Sequence, residues 1–478
     1  MRNGSETFQG SREGDSTERA PMADDIFRSF FEPQSIALFG SVKPGKIGYE
    51  ILASIREGGF TGEVYPINPA GGEVLGYQVY PSLCAVQGKV DLAVICLPQR
   101  AVIDAVTECG RKGVHATVII SSGFSEVGNL QAEKELVEVA KALGVRIIGP
   151  NCAGIMNPWH RHFPSIEVRA LPGETAFVTQ SGALGGATLG WAEERGFGFS
   201  KFISYGNRCD VDEMELLSYL SEDPETRVIV LYLEGIDKGR DFLKVARETS
   251  LKKPLVVIKS GATRAGKRAT ASHTGTLAGV DEIYNAAFRK AGIIRVEGIE
   301  EMFDLCQAFS CCPLPMGNRV AIVTNSGGPG ILAADKAERL GLEVTPPSPS
   351  LRKSLKSHVS PHASLENPFD LTVESGYREY RMALEGALSE YDAAIVINVA
   401  TPYLDSVAIA RGVIDAARAI RKPVVTNFMA GRIVREAVQL LEKEGLLNLA
   451  TGERCAFVLS KLFERKRLLE RIPFASFD

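Results

Sequence analysis

The sequence predicts an α/β protein made of one Rossmann-like unit followed by two copies of a second α/β unit. Three observations predict it. From Ser35 onward, short β-branched runs alternate with helix-period segments, the pattern of parallel strands joined by crossover helices. The later two-thirds of the chain repeats itself: Val178-Thr179-Gln180-Ser181-Gly182 matches Val323-Thr324-Asn325-Ser326-Gly327, and Lys253-Pro254-Leu255-Val256 matches Lys422-Pro423-Val424-Val425. The 478 residues, 45% hydrophobic and 23% charged, suit about three ordinary globular domains.

The first series of strands is Ser35–Phe39, Glu63–Ile67, Leu92–Leu97, Thr117–Ser121 and Val145–Ile148. Ahead of it, residues 1–24 carry too little apolar surface to order and are expected to form a disordered tail. The second series begins at Thr175 and continues through Phe199–Tyr205, Val228–Leu233, Pro254–Lys259 and Ile293–Val296. The third begins at Asn318, passes through Ala393–Val399 and Pro423–Phe428, and is followed by a short basic helix, Ser460–Arg471. Domains are therefore expected at residues 25–155, 156–312 and 313–478.

Composition removes several classes of function. A net charge of −4 offers no general basic field for nucleic acid or an anionic membrane surface. The nine cysteines show no CxxC pair and no zinc spacing, so they read as thiols of a reducing cytosol and no metal site is expected. No apolar run approaches the ~20 residues a membrane span needs, nor is there the apolar core of a signal peptide. A soluble, cytoplasmic protein is expected.

The most informative stretch is Ala271-Ser272-His273-Thr274-Gly275-Thr276-Leu277-Ala278-Gly279, in a chain with only six histidines. It follows the strand Pro254–Lys259 and is read as a loop at that strand's carboxyl end, where ligands bind in open α/β sheets. A neutral imidazole can carry a phosphoryl group, although a loop histidine can also simply bond its neighbours. Glu234, ending a strand of the same unit, could accept the Nδ1 proton and leave Nε2 free to attack phosphorus; otherwise it caps the turn before Gly235. Gln180-Ser181-Gly182-Ala183 joins a strand to a helix whose first amides form a phosphate cradle. Arg264, Lys267 and Arg268 could neutralise phosphate, and Asn207 and Asp210 could orient the pocket. The third unit has neither counterpart: Val396–Thr401, set against Val230–Gly235, places Ala400 opposite Glu234, and Ala430-Gly431 leads straight into a helix-like segment.

In the first unit, Gly40-Ser41-Val42-Lys43-Pro44-Gly45-Lys46-Ile47-Gly48 follows the first strand and opens a helix, an arrangement that admits a phosphate. The spacing departs from GxGxxG, and Asn68 stands where an acidic residue would bind a ribose, so a nicotinamide cofactor and an oxidoreductase are disfavoured. Other strand ends carry Pro98, Arg100, Ser121, Ser122, Gly123 and Asn151.

Taken together, SHTGTLAG at 272–279, TQSGALG, LYLEGI, GPNCAGIMN and NSGGPG resemble the acyl-CoA synthetases that form a nucleoside diphosphate, the superfamily of ADP-forming acetate-CoA ligase and succinyl-CoA synthetase, from about Phe30 to the C-terminus. The resemblance implies an N-terminal Rossmann-like CoA-binding domain and two flavodoxin-like doubly wound ligase domains, the last non-catalytic. It implies His273 as the phosphorylated residue and Glu234 as its stabiliser, with phosphate on Gln180, Ser181, Gly182 and Ala183. Coenzyme A is carried onto Gly40, Ser41, Lys46, Gly48, Asn68, Pro98, Arg100, Ser121, Ser122, Gly123 and Asn151, and the acid substrate onto Asn151, Gly182 and Asn207. Nothing in the chain looks like an ATP-grasp domain. An α subunit is thus expected, in an α2β2 heterotetramer whose separate ATP-grasp β chain holds ATP or ADP with Mg2+, with inorganic phosphate and a small carboxylic acid as the other reactants. A non-catalytic CoA-binding regulatory module is the alternative.

Overall fold

Apolar runs that read as buried strands form three open sheets. The computed structural model describes residues 23–274 and 280–470, with the side chains of residues 23–25 and 270–274 outside the description. The first sheet contains β1 (Ser35–Phe39) and β2 (Glu63–Ile67); a small antiparallel hairpin of β3 (Glu73–Val74) and β4 (Tyr77–Gln78) precedes β5 (Leu92–Ile95), β6 (Ala116–Ile119) and β7 (Arg146–Ile148). The second contains β8 (Gly154–Met156), β9 (Leu171–Thr179), β10 (Gly198–Ser204), β11 (Val228–Leu233), β12 (Leu255–Lys259) and β13 (Ile294–Val296). The third contains β14 (Val320–Thr324), β15 (Phe369–Asp370), β16 (Ala393–Val399), β17 (Val424–Met429) and β18 (Leu447–Asn448).

The strand orders are β2-β1-β5-β6-β7, β13-β12-β11-β9-β10-β8 and β15-β14-β16-β17-β18. Counted within its own domain, each parallel sheet has the doubly wound order 2-1-3-4-5. The chain reverses direction across each sheet between its first and third strands, β1/β5, β9/β11 and β14/β16. The loops leaving those strands part there and open a crevice.

Several elements were not legible in the sequence. β8 pairs antiparallel with β10, so the expected boundary at 155/156 falls inside a strand of the second sheet. β15 and β18 are two residues each, too short to show a period. The helix Ala23–Phe31 begins inside the segment read as a tail, and the last helix, Gly452–Glu470, starts eight residues before the expected Ser460. Strand pairing also corrects the internal repeat by one residue. Thr179 pairs with Tyr232 and Thr324 with Ile397, so Glu234 corresponds to Val399 and not to Ala400.

The domains share continuous apolar cores. One runs from Phe27 and Phe31 in the first helix through β1 and β5 to β9, β11 and β12. Another joins the second sheet to the third through the helix Ile299–Cys311. Phe27 and Phe31 stack on Tyr219 of the second domain, with centroids 4.9 and 5.1 Å apart. His162 is fully buried beside them, and its Nε2 donates to the Phe30 carbonyl over 3.0 Å. Arg146 at β7 pairs with Asp210 at 2.9 Å and Glu215 at 2.7 Å, and the Ile147 amide donates to Asp210 over 2.7 Å. Asp210, expected to orient the pocket, is engaged as a tie between the first two domains. Arg454 of the last helix grips buried Asp304 with two bonds of 2.5 and 2.6 Å.

Burial pushes the His162 imidazole down to about 3, because a proton there would sit in an apolar core. The unfolded chain takes up that proton near the ordinary value of 6.5. The stabilisation from the neutral ring is therefore complete above pH 6.5 and is lost as pH falls toward 3, by roughly 5 kcal/mol in all. Denaturant unfolding across this window should show the loss, and His162→Gln should flatten it; an unchanged slope would refute the assignment. Arg454→Met leaves Asp304 buried without its partner and should cost roughly 2–3 kcal/mol. Adding Asp304→Asn to Arg454→Met should recover part of that loss in the same measurement.

Candidate active site

In the second domain the switch point lies between β9 and β11, and the turn expected to cradle phosphate and Glu234 stand on its two sides. β9 ends at Thr179, and the helix Gly182–Glu194 begins three residues later with Ser181 as its N-cap. Ser181 Oγ accepts from the Leu184 amide over 3.3 Å, and Thr179 Oγ1 accepts from the Ser181 amide over 3.0 Å. The Ser181 carbonyl accepts from the Gly185 amide. The Gly182 and Ala183 amides are left at the positive end of the helix with no protein acceptor among the described residues. The sister turn is built alike, with Thr324 Oγ1 accepting from the Ser326 amide over 3.0 Å.

Gln180 is oriented toward the neighbouring strand. Its Oε1 accepts from the amides of Glu234 and Gly235, the latter over 3.2 Å, and its Nε2 donates to the Gly235 carbonyl over 3.3 Å. Its side chain thus bridges β9 to β11, while the expected anion donors are the backbone amides beyond it. Glu234 is 7% exposed.

Around the first domain's switch point, the residues expected to hold coenzyme A divide into a shaped backbone and side chains already engaged. A Cβ on Gly48 would lie 2.8 Å from the Ser41 carbonyl oxygen, so that position requires glycine for the turn to close on the helix Ile47–Glu57, and one on Gly40 would lie 3.2 Å from Gly48 Cα, a tight approach. Lys46, the N-cap of that helix, is exposed, as are Pro98, Arg100, Ser122 and Asn151. Asn68 Nδ2 donates to the Gly40 carbonyl over 2.8 Å, and Ser121 Oγ accepts from the Leu97 amide over 3.0 Å. These two side chains join strand ends. The Gly123 amide donates to Glu126 Oε1 over 2.5 Å.

The ends of β6 and β7 in the first domain meet the strand ends of the second domain. The Asn151 amide donates to the Ser121 carbonyl over 2.9 Å, and Asn151 Nδ2 donates to Asn207 Oδ1 over 3.2 Å. The Ala153 amide donates to Ser204 Oγ over 2.9 Å, and a Cβ on Gly182 would lie 3.2 Å from Ala153 Cβ. Asn151 and Gly182 thus come from different domains to one seam. Asn207 reaches the same seam, but its Nδ2 donates to Glu126 over 2.6 Å and Glu133 over 2.8 Å, so the side chain is held by the first domain. Burial opposes ionisation of Glu126, and the bonds from Asn207 and from the Gly123 and Phe124 amides outweigh it, holding the carboxyl below its usual range.

The histidine segment departs from expectation. A helix, Arg264–Thr274, intervenes after β12, so the segment does not begin directly at the strand's carboxyl end. His273 falls in the last turn of that helix; its side chain and residues 275–279 lie outside the described residues. Arg264, Lys267 and Arg268 are helical, with Arg264 and Arg268 exposed and Lys267 half-buried.

Sequence reasoning missed Lys259 and Arg208. Lys259 ends β12 beside Glu234, is 6% exposed, and its Nζ donates to the Glu234 carbonyl over 2.8 Å. Arg208 Nη1 donates to the Gly235 carbonyl over 3.2 Å. A lysine ending a strand and an arginine in a turn read as solvated charges; only strand order brings them to Glu234. Beside Lys259 opens a cleft of about 1080 Å³, which Thr263, Asp281, Asn285 and Arg295 also line.

Three family models match in the order expected. A CoA binding domain matches residues 34–158, a succinyl-CoA ligase like flavodoxin domain residues 172–309, and a ligase-CoA domain residues 320–473. The acetate-CoA ligase (ADP-forming) I subunit alpha of Pyrococcus furiosus is 40% identical over 450 residues, covering 91% of this chain and 97% of that one. The acetate-CoA ligase (ADP-forming) of Methanocaldococcus jannaschii is 39% identical over 441 residues; the match covers 90% of this chain and 62% of that enzyme. The solved dinucleotide forming acetyl-coenzyme A synthetase 1 of Ca. Korarchaeum cryptofilum, in complex with phosphate and ADP, superposes with a TM-score of 0.88 at 39% identity, covering 94% of this chain and 98% of that one. With all three domains matched and nearly the whole of the Pyrococcus subunit covered, the chain belongs to the family of the alpha subunits of ADP-forming acetate-CoA ligases.

Proposed function

We propose that this chain carries the acyl-transfer and phosphate-relay half of a reversible ADP-forming acyl-CoA ligase, with His273 as the phosphate carrier and the nucleotide held on a separate β chain. The observation that carries this reading is the meeting of the Gly182 cradle, Glu234 and the first domain's Asn151 rim at one seam. Phosphate bound on the Gly182 and Ala183 amides attacks the thioester carbonyl of an acyl-CoA whose nucleotide end lies along Gly40–Gly48. The C–S bond breaks, CoA leaves as thiolate, and an acyl phosphate remains. Nε2 of His273 then attacks phosphorus, the carboxylate departs with its oxygen, and the phosphoryl group resides on the ring. Glu234 holds the Nδ1 proton and balances the positive charge on the imidazole.

Transfer to ADP completes the cycle on the β chain, where Mg2+ belongs with the nucleotide; an α2β2 assembly is the arrangement proposed. That this chain covers 62% of the Methanocaldococcus enzyme, against 97% of the Pyrococcus subunit alpha, supports a division of labour between chains. The carboxylic acid is acetate or a larger acid accommodated at the seam near Asn151, Gly182 and Asn207.

Acyl phosphate alone should label this chain, because that step precedes the nucleotide. Radiolabelled acetyl phosphate should give acid-labile, base-stable label on the wild-type chain and none on His273→Ala, while both bind CoA equally. CoA binding without any label on wild type would identify a non-catalytic coenzyme-binding module instead. Gly182→Val places a branched side chain against Ala153 and over the cradle amides. It should raise the KM for phosphate about tenfold in the full reaction while CoA affinity stays unchanged.

A further inference from the structure

Every backbone polar atom of the Glu234-Gly235 pair is tied down by a side chain. Gln180 takes both amides; the Glu234 carbonyl accepts from Lys259 Nζ over 2.8 Å; and the Gly235 carbonyl accepts from Arg208 Nη1 over 3.2 Å and from Gln180 Nε2 over 3.3 Å. The three side chains come from the ends of β9 and β12 and from the turn after β10. Lys259 is held in turn: its Nζ also donates to the Ser260 carbonyl over 2.6 Å and sits 4.9 Å from the centroid of the Tyr284 ring. Arg208 is braced by Glu213 at 3.2 Å and Asp237 at 2.8 Å, on a backbone with φ of 52°.

The third domain is an internal control. It keeps the Thr-x-Ser turn and the amide bridge, with Asn325 Oδ1 accepting from the Val399 amide over 2.8 Å, so the turn and bridge occur in this fold without a glutamate after the neighbouring strand. Strand pairing sets Val399 against Glu234 and Phe428 against Lys259, and counting four residues on from the matched strand ends Ser204 and Asp370 places Glu374 where the second domain has Arg208. The two cations disappear together with the glutamate, and the turn that does not need them survives.

We infer that Lys259, assisted by Arg208, is a positioning residue for phosphoryl transfer, fixing the Glu234 main chain and holding a positive charge beside its carboxylate. This rests on the role proposed for Glu234. The groups facing Lys259 are Glu234 after β11, Arg295 on β13, Asp281 and Tyr284 on the helix Asp281–Ala291, and Lys267 on the helix before His273. Burial and then Arg295 push the ammonium down to about 8, against the pull of Asp281 and Glu234. The positive charge is thus present below about pH 8 and lost above it.

The test is the rate of labelling by radiolabelled acetyl phosphate on the full chain, a reaction without a thiol or a nucleotide. Lys259→Met should slow it roughly 100-fold with less than about a twofold change in CoA affinity, the retained affinity reporting that the chain is folded. Lys259→Arg should recover most of the rate, and should abolish the decline that wild type shows as pH rises through about 8. Because Lys259 acts through Glu234, adding Lys259→Met to Glu234→Gln should cost little beyond Glu234→Gln alone. Additive losses, or a Lys259→Met rate equal to wild type while Glu234→Gln is slow, overturn the inference. A Glu234→Gln chain labelled at the wild-type rate overturns the role of Glu234 itself, and with it the inference.

Discussion

The parting of loops between β9 and β11 is the constraint from which the site follows. Parallel strands deliver every connection to the same edge, and the order 2-1-3-4-5 makes adjacent loops leave in opposite directions at one place. A gap between strand ends would leave the Glu234 and Gly235 amides unpaired, and the Gln180 side chain closes it from β9. With Gln180 turned to that task, the cradle beside it is left with bare amides at a helix N-terminus. Such amides are the donors an anion meets at a helix N-terminus.

The first domain completes this edge. Its rim is braced by Asn68 and Ser121, whose side chains join strand ends, and is set against the second domain by Asn151, Ala153 and the Asn207 bonds to Glu126 and Glu133. Continuous apolar packing and the Arg146–Asp210 pair hold the two sheets in fixed relation. The seam is therefore built by rigid elements.

The repeated unit shows how one fold is retained with and without the chemistry. Thr179 and Thr324 brace the same turn, and Gln180 and Asn325 make the same bridge to the neighbouring strand. Where the second domain carries Glu234, Lys259 and Arg208, the third carries Val399, Phe428 and Glu374. The charged set is therefore separable from the architecture, which needs only the turn and the bridge.

Much of this was legible in the chain itself. Strand and helix periods are local, so the long buried strands and their order along the chain could be read, as could the repeat and the strand-to-helix turn at Ser181. Two-residue strands such as β15 and β18 leave no period, and the helix Arg264–Thr274 is too polar and hydroxyl-rich to announce itself between β12 and the histidine. Only the tertiary structure decided which strand ends are neighbours. Lys259 and Arg208 lie 25 and 26 residues from Glu234 on opposite sides in sequence, and Asn207 lies 81 from Glu126. Their contacts depend on crossovers that bring distant strand ends together, and a crossover leaves no mark on the residues at its two ends.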